Sequence, residues 1–278
     1  MESTQEIIQV LAESYGADIS IYDEAFLQKT MQNRCSLLGI PLASDYLTYL
    51  LLNPAEAKQL LESLCINYSE FFRSPLTFTY LEQILLPKIA LERTPKEELR
   101  IWSAGCAAGQ EPYSLAMLLE EIKLQNATHL PYRIIATDMS ENELVIAKKG
   151  EYPENALQNI RLKQLRAFFQ ENSGKYTINK DIKAKVSFTS YNLLDTSSAV
   201  PQESIFGDFD VVFCSNLLFY YRPDQQQAIL QKIVKATRQG GYIVTGESES
   251  YLLTKYIGLR RVNSLVPIFH KQQYGGAR

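Results

Sequence analysis

One short stretch limits what this chain can fold into. Leu99, Ile101 and Trp102 form an apolar, β-prone run, residues 103–109 are small, and residues 111–123 suit a helix. The order is strand, tight loop, helix. Gly105 and Gly109 have no Cβ, so the loop can take unusual backbone angles and a ligand can lie directly against it. The helix that follows presents free N–H groups to such a ligand. The next strand-like run, 132–137, ends in Asp138, and an acid at the tip of a neighbouring parallel strand is placed to accept both hydroxyls of a ribose. The pair points to a nucleoside-bearing cofactor, while the turn alone also fits an ordinary strand-to-helix connection.

The glycine spacing is G-x-x-x-G, without the G-x-G-x-x-G of a dinucleotide site or a G-K-[ST] phosphate clamp. The turn carries the acid Glu111 and no basic residue, so a pyrophosphate would find little compensation there. An adenosine with a cationic or zwitterionic tail fits better, and S-adenosylmethionine, with its sulfonium and amino acid end, is such a molecule.

The 278 residues are 46% hydrophobic and 21% charged, an ordinary composition with length for one large domain or two unequal ones. No apolar run approaches a membrane span, and the acidic start MESTQEIIQV is unlike a signal peptide, so a cytoplasmic location is expected. Four scattered cysteines and two histidines argue against a disulfide framework or structural zinc, and no metal is expected. A net charge of -3 argues against nucleic acid as a main partner.

Residues 1–66 read as a bundle of four helices, the last behind Asn53-Pro54 as a start signal. The segment 67–73, with Arg73 beside two aromatics, reads either as an interdomain clamp or as part of the site. Helical periodicity resumes over 78–85, and residues 141–149 form a helix closed by Gly150. Residues 151–184 break the α/β rhythm and read as an insertion with a short strand at 175–178. The apolar run 209–214 is a strand buried on both faces. It delivers Ser215, Asn216 and Tyr220 toward the carboxyl edge, where open α/β sheets bind ligands. A helix is expected over 224–237, a turn at Gly240-Gly241, a strand over 242–246 and a closing antiparallel pair at 260–263 and 266–270.

Six segments together carry a resemblance: NYSEFFR (67–73), IWSAGCAAGQEPYSLAM (101–117), ATDMS (136–140), NLL (192–194), FDVVFCSNLLFYY (209–221) and GGYIVTGESES (240–250). In this order they are similar to the CheR family of chemotaxis receptor methyltransferases. The resemblance implies an α/β fold: a Rossmann-like S-adenosylmethionine-dependent methyltransferase domain over 75–278, an N-terminal helical domain with its linker over 1–74, and a small β-containing insertion at about 151–185. It implies methyl transfer from S-adenosylmethionine, leaving S-adenosylhomocysteine, to glutamate carboxylates on the cytoplasmic helices of methyl-accepting chemotaxis receptors. A monomer without membrane insertion is expected.

By the same resemblance Asn67, Ser69, Arg73, Glu111, Asp138, Asn192, Leu193 and Asn216 contact the cofactor, with Gly105 and Ser215 beside them. Arg73 and Tyr220 are the catalytic candidates, Tyr220 near the methyl group. Ser69 stands where the family has Thr and keeps the hydroxyl. Ser215 stands where the family has Arg, which removes a fixed cation suited to a carboxylate. The second helix, basic in the family, offers Lys29 and Arg34, and the insertion is short around 172–175. These departures leave two further readings open: a methyltransferase of this fold acting on another signalling protein, and a non-catalytic module that binds the cofactor or its product.

Overall fold

The computed structural model describes residues 2–65, 68–94, 96–126, 130–204 and 207–272. Asn67 lies outside the described residues. The chain forms two compact units, one of Met1–Ile66 with Leu217–Ala228, the other of Asn67–Asn216 with Ile229–Arg278.

The smaller unit is built on helices α1 (Glu2–Tyr15), α2 (Glu24–Leu38), α3 (Ala43–Leu52) and α4 (Pro54–Ser63). Asp23 starts α2 by accepting the Ala25 and Phe26 N–H groups, and Gly39, at φ 68°, ends it. Ile7, Leu11, Leu27, Leu50 and Leu60 form the core. Leu37, on the same helix as the buried Leu27, is 76% exposed. The acid Glu56 is buried because it is fully paired: Arg34 grips it through two bonds of 2.9 and 2.6 Å, and the Tyr46 hydroxyl donates to it at 2.8 Å. The segment after 216 rejoins this unit by backbone bonds, Asp23 N–H to Tyr220 O at 2.8 Å and Arg222 N–H to Ile21 O at 3.0 Å. Tyr22 stacks on Tyr221 at 5.3 Å.

In the larger unit, α5 (Pro75–Tyr80) runs through a π-helical turn at Leu81–Leu85 into α6 (Leu86–Leu91). The periodicity at 78–85 therefore marks the middle of a longer helical segment. The strands are β1 (Leu99–Ala104), β2 (Tyr132–Asp138), β3 (Glu151–Pro153), β4 (Phe169–Asn172), β5 (Lys175–Ile178), β6 (Val186–Ser190), β7 (Phe209–Cys214), β8 (Thr237–Thr245), β9 (Leu259–Arg261) and β10 (Ile268–Lys271). Seven form one sheet in the order β6-β2-β1-β7-β8-β10-β9. The first five of that order pair in parallel and β10 and β9 close the sheet antiparallel. Around it lie α7 (Gln110–Asn126), α8 (Glu141–Lys149) and the C-terminal part of α11 (Pro223–Ala236), whose Ile229, Leu230 and Ile233 are buried. The helices α9 (Leu162–Phe168), α10 (Lys180–Lys183) and α12 (Ser250–Thr254) complete the set. The insertion makes a separate sheet, β3-β5-β4.

Three local findings refine the sequence expectations. Phe71 and Phe72 are core residues of this unit, Phe71 edge-on to Tyr152 at 4.9 Å and to Phe169 at 5.7 Å. Gly240-Gly241 is an irregularity within β8, which begins at Thr237 where a helix was expected to persist. The β7–β8 register shifts between Phe209 and Val211, and a Cβ on Gly241 would lie 3.0 Å from Asp210 O, so glycine is what lets the bulge close. The apolar β7 also carries one acid, Asp210, 2% exposed, which pairs with Arg93 and Arg238 and accepts the Arg100 N–H at 2.8 Å. Without those partners a carboxylate would not be buried in a central strand.

Candidate active site

Parallel pairing puts the carboxyl ends of β6, β2, β1 and β7 side by side along one edge, and most of the anticipated site residues follow directly from those ends. Gly105 follows β1, Asp138 ends β2, Asn192 and Leu193 follow β6, and Ser215 and Asn216 follow β7. The loop after β1 is tied to β2: the Gly105 and Cys106 N–H groups both donate to Thr137 O, at 2.8 and 2.9 Å, and Trp102 Nε1 donates to Thr137 Oγ1 at 2.9 Å. Gly105 and Gly109 sit at φ 80° and 89°, and Ala107 at 44°.

Asp138 is the pivot of this edge. One carboxyl oxygen accepts the Ala107 N–H at 2.8 Å and the other the Ser140 N–H at 2.8 Å. A carboxylate has about four acceptor sites, so these backbone donors do not exhaust it. Burial pushes its pKa up, against backbone N–H groups that hold it down. Tyr191 N–H donates to Asp138 O at 3.0 Å and thereby brings the Asn192 turn to the same place. Asn192 accepts the Leu194 N–H at 2.9 Å, and Leu193 is buried.

Glu111, in the first turn of α7, accepts the Ser103 hydroxyl at 2.7 Å. Burial pushes its carboxyl up to about 7; the Ser103 hydrogen bond and the Arg73 charge oppose the rise, and Glu249 adds to it. A carboxyl raised in the fold from an ordinary value near 4.5 favours the folded state fully below that value, and this contribution is lost as pH rises through about 7. Thermal denaturation of the free protein therefore loses midpoint temperature between pH 5 and 8 to a greater extent than that of Glu111→Gln.

Arg73 lies with its guanidinium 5.0 Å from the Tyr68 ring centre and donates to Tyr68 O at 3.4 Å. Ser69 and Ser215 are half-buried. Tyr220 belongs to the helical unit, edge-on to Phe26 at 4.8 Å. There it lines a cavity of about 420 Å³ with Lys29, Asn33 and Phe219.

Two residues escaped the sequence reading. Gln110, 8% exposed, has a buried Oε1 without a hydrogen-bond partner among the described residues, which leaves an acceptor for a ligand donor at the head of α7. Glu249, fully buried, accepts the Asn216 N–H at 2.8 Å. Its sequence signal is an acid three residues past the glycine that follows a strand, in GESES.

The residue set suits a cationic nucleoside: three acids, an orphan acceptor, and no Lys or Arg in the loop after β1. The family model described as the CheR methyltransferase S-adenosylmethionine-binding domain matches residues 67–262, and its all-alpha domain matches residues 2–65. The chain belongs to the CheR methyltransferase family. Its cofactor is S-adenosylmethionine. Among its relatives, a chemotaxis protein methyltransferase 1 of Pseudomonas aeruginosa is 34% identical over 69% of each chain. A chemotaxis protein methyltransferase of Borreliella burgdorferi is 25% identical over 90% of this chain and 88% of its own length. An uncharacterized 104.1 kDa protein of Rhodobacter capsulatus is 29% identical over 90% of this chain, which spans only 25% of that protein. No helix among the described residues is long and apolar enough to cross a membrane.

Proposed function

We propose that this chain methylates glutamate carboxylates on the cytoplasmic helices of chemotaxis receptors, as a cytoplasmic enzyme. The observation that carries the reading is the Asp138 arrangement, with one oxygen held by the Ala107 N–H of the loop, the other by the N–H of Ser140, the N-cap of α8, and acceptor capacity left over. The names of the relatives in Pseudomonas and Borreliella supply the chemotaxis setting.

When bound, S-adenosylmethionine supplies a methyl group activated by its sulfonium. Asp138 takes the ribose hydroxyls, at roughly 1.5–3 kcal/mol for each charge-assisted bond. Glu111 takes the cationic end, and in doing so loses its proton around neutrality, so affinity rises with pH through about 7. Gly105, Asn192, Leu193, Ser215 and Asn216 shape the cradle along the sheet edge, and Arg73 and Ser69 close it from the segment before α5. Asn67 joins them on its motif. The substrate glutamate, with an ordinary pKa near 4.3, is already ionised at neutral pH. No general base is required, and alignment of nucleophile and methyl group can supply roughly 7–11 kcal/mol.

For Tyr220 the assignment rests on its motif: an aromatic face toward the sulfonium is a cation–π contact. Ser215 leaves the carboxylate substrate without the family's arginine. Arg34 is committed to Glu56, which leaves Lys29, without an ion-pair partner among the described residues, as the other cation that α2 offers to an acidic receptor.

With labelled S-adenosylmethionine and receptor-bearing membranes, base-labile label appears on the receptor, and Tyr220→Phe lowers turnover with little change in cofactor affinity. Cofactor binding without label on any membrane protein would favour another protein substrate or the regulatory reading instead.

A further inference from the structure

We infer that Glu249 is a positioning residue of the cofactor site, its buried carboxylate fixing the left-handed turn at Asn216 that forms the β7 end of the cradle. The inference rests on the proposed cofactor site and extends it to a residue outside the sheet-edge set.

Asn216 stands at φ 59°, a conformation that asparagine tolerates but that still needs support. Glu249 Oε2 provides it, accepting the Asn216 N–H at 2.8 Å, the Gly246 N–H at 3.1 Å and the Thr245 hydroxyl at 3.2 Å. One carboxylate thus joins the exit of β7 to the exit of its neighbour β8. The remaining space is closed: a Cβ on Gly246 would lie 2.8 Å from Glu249 Oε2, 2.9 Å from the Asn216 side-chain nitrogen and 3.0 Å from its backbone nitrogen. Glycine is therefore what allows the Asn216 amide to be held against β8 and aimed along the edge. The carboxylate also acts at a distance, since its charge is among the causes that raise the Glu111 pKa. The groups facing Glu111 are Ser103 from β1, Arg73 from the segment before α5, Glu249 after β8, and the buried thiols of Cys106 and Cys214.

Two variants separate the roles. Glu249→Gln keeps the shape and an acceptor but removes the charge, whose hydrogen bonds are about twice as strong as neutral ones. Gly246→Ala keeps every charge and crowds the turn. Both are checked for a native melting transition and titrated with S-adenosylmethionine by calorimetry from pH 5.5 to 8.5. Glu249→Gln is expected to bind about tenfold more weakly, the effect of roughly 1.4 kcal/mol, and the pH midpoint of its binding falls. Gly246→Ala is expected to bind more weakly with the midpoint in place. Wild-type affinity and midpoint in folded Glu249→Gln would overturn the inference, and weaker binding with an unmoved midpoint would reduce Glu249 to a structural residue. Either result, alongside loss of binding in Asp138→Ala, leaves the cofactor site standing; Asp138→Ala binding like wild type would count against the site itself.

Discussion

Asp138→Ala loses cofactor binding by about two to four orders of magnitude while the sheet unit stays folded. Two ribose hydroxyls on a carboxylate are worth roughly 3–6 kcal/mol together, and tenfold in affinity corresponds to about 1.4 kcal/mol. The variant also frees the Ala107 and Ser140 N–H groups, which the carboxylate holds at 2.8 Å each. The loop after β1 keeps its bonds to Thr137 O, so the damage is confined to the loop tip and the head of α8. Asp138→Asn keeps an acceptor oxygen for only one of the two backbone donors, sets its NH2 against the other and loses the charge, and falls between wild type and Asp138→Ala. Calorimetry with S-adenosylmethionine and with S-adenosylhomocysteine measures the loss. Equal loss for both ligands places the effect at the nucleoside they share, and unchanged affinity would remove Asp138 from the site.

Gly109→Val destabilises the larger unit by about 2–5 kcal/mol. The residue sits at φ 89°, where an L side chain is strained by roughly 1–2 kcal/mol. A Cβ there would lie 2.9 Å from Ala147 Cβ, 3.2 Å from Ala147 Cα and 3.1 Å from Phe188. The second neighbour is helix backbone and cannot swing away, so α8 must shift against β6, an overpacking that costs about 1–3 kcal/mol. Because Tyr113 also donates to Ala147 O at 2.8 Å, the shift reaches α7 as well. Denaturant titration followed by tryptophan fluorescence reads the change directly, since Trp102, the single tryptophan, is buried in β1 next to this loop. A midpoint within experimental scatter of wild type would contradict the packing described here.

The legible parts of the chain were those written in consecutive residues. The loop after β1 and the acid ending β2 announce themselves through glycine spacing and strand patterning, and two of the helix ends through Pro54 and Gly150. What stayed hidden depends on partners far along the chain. Asp210 in an apolar strand makes sense only with Arg93 and Arg238 around it. Gly240-Gly241 looks like a turn until the shifted register of β7 and β8 shows that it is a bulge. The return of residues 217–228 to the helical unit is set by backbone bonds to Ile21 and Asp23, which leave no mark on side-chain pattern. Glu249 is hidden for the same reason: an acid after a strand reads as surface until donors from 216, 245 and 246 are seen to converge on it.

The most direct test of the account is to locate the transferred methyl group. Receptor membranes from the organism are incubated with the purified protein and labelled S-adenosylmethionine, and the labelled receptor peptides are sequenced by mass spectrometry. The account predicts methyl esters on glutamate side chains of the cytoplasmic receptor helices, abolished by Asp138→Ala. Methyl groups on another residue type or another protein, with the receptor unlabelled, would contradict it.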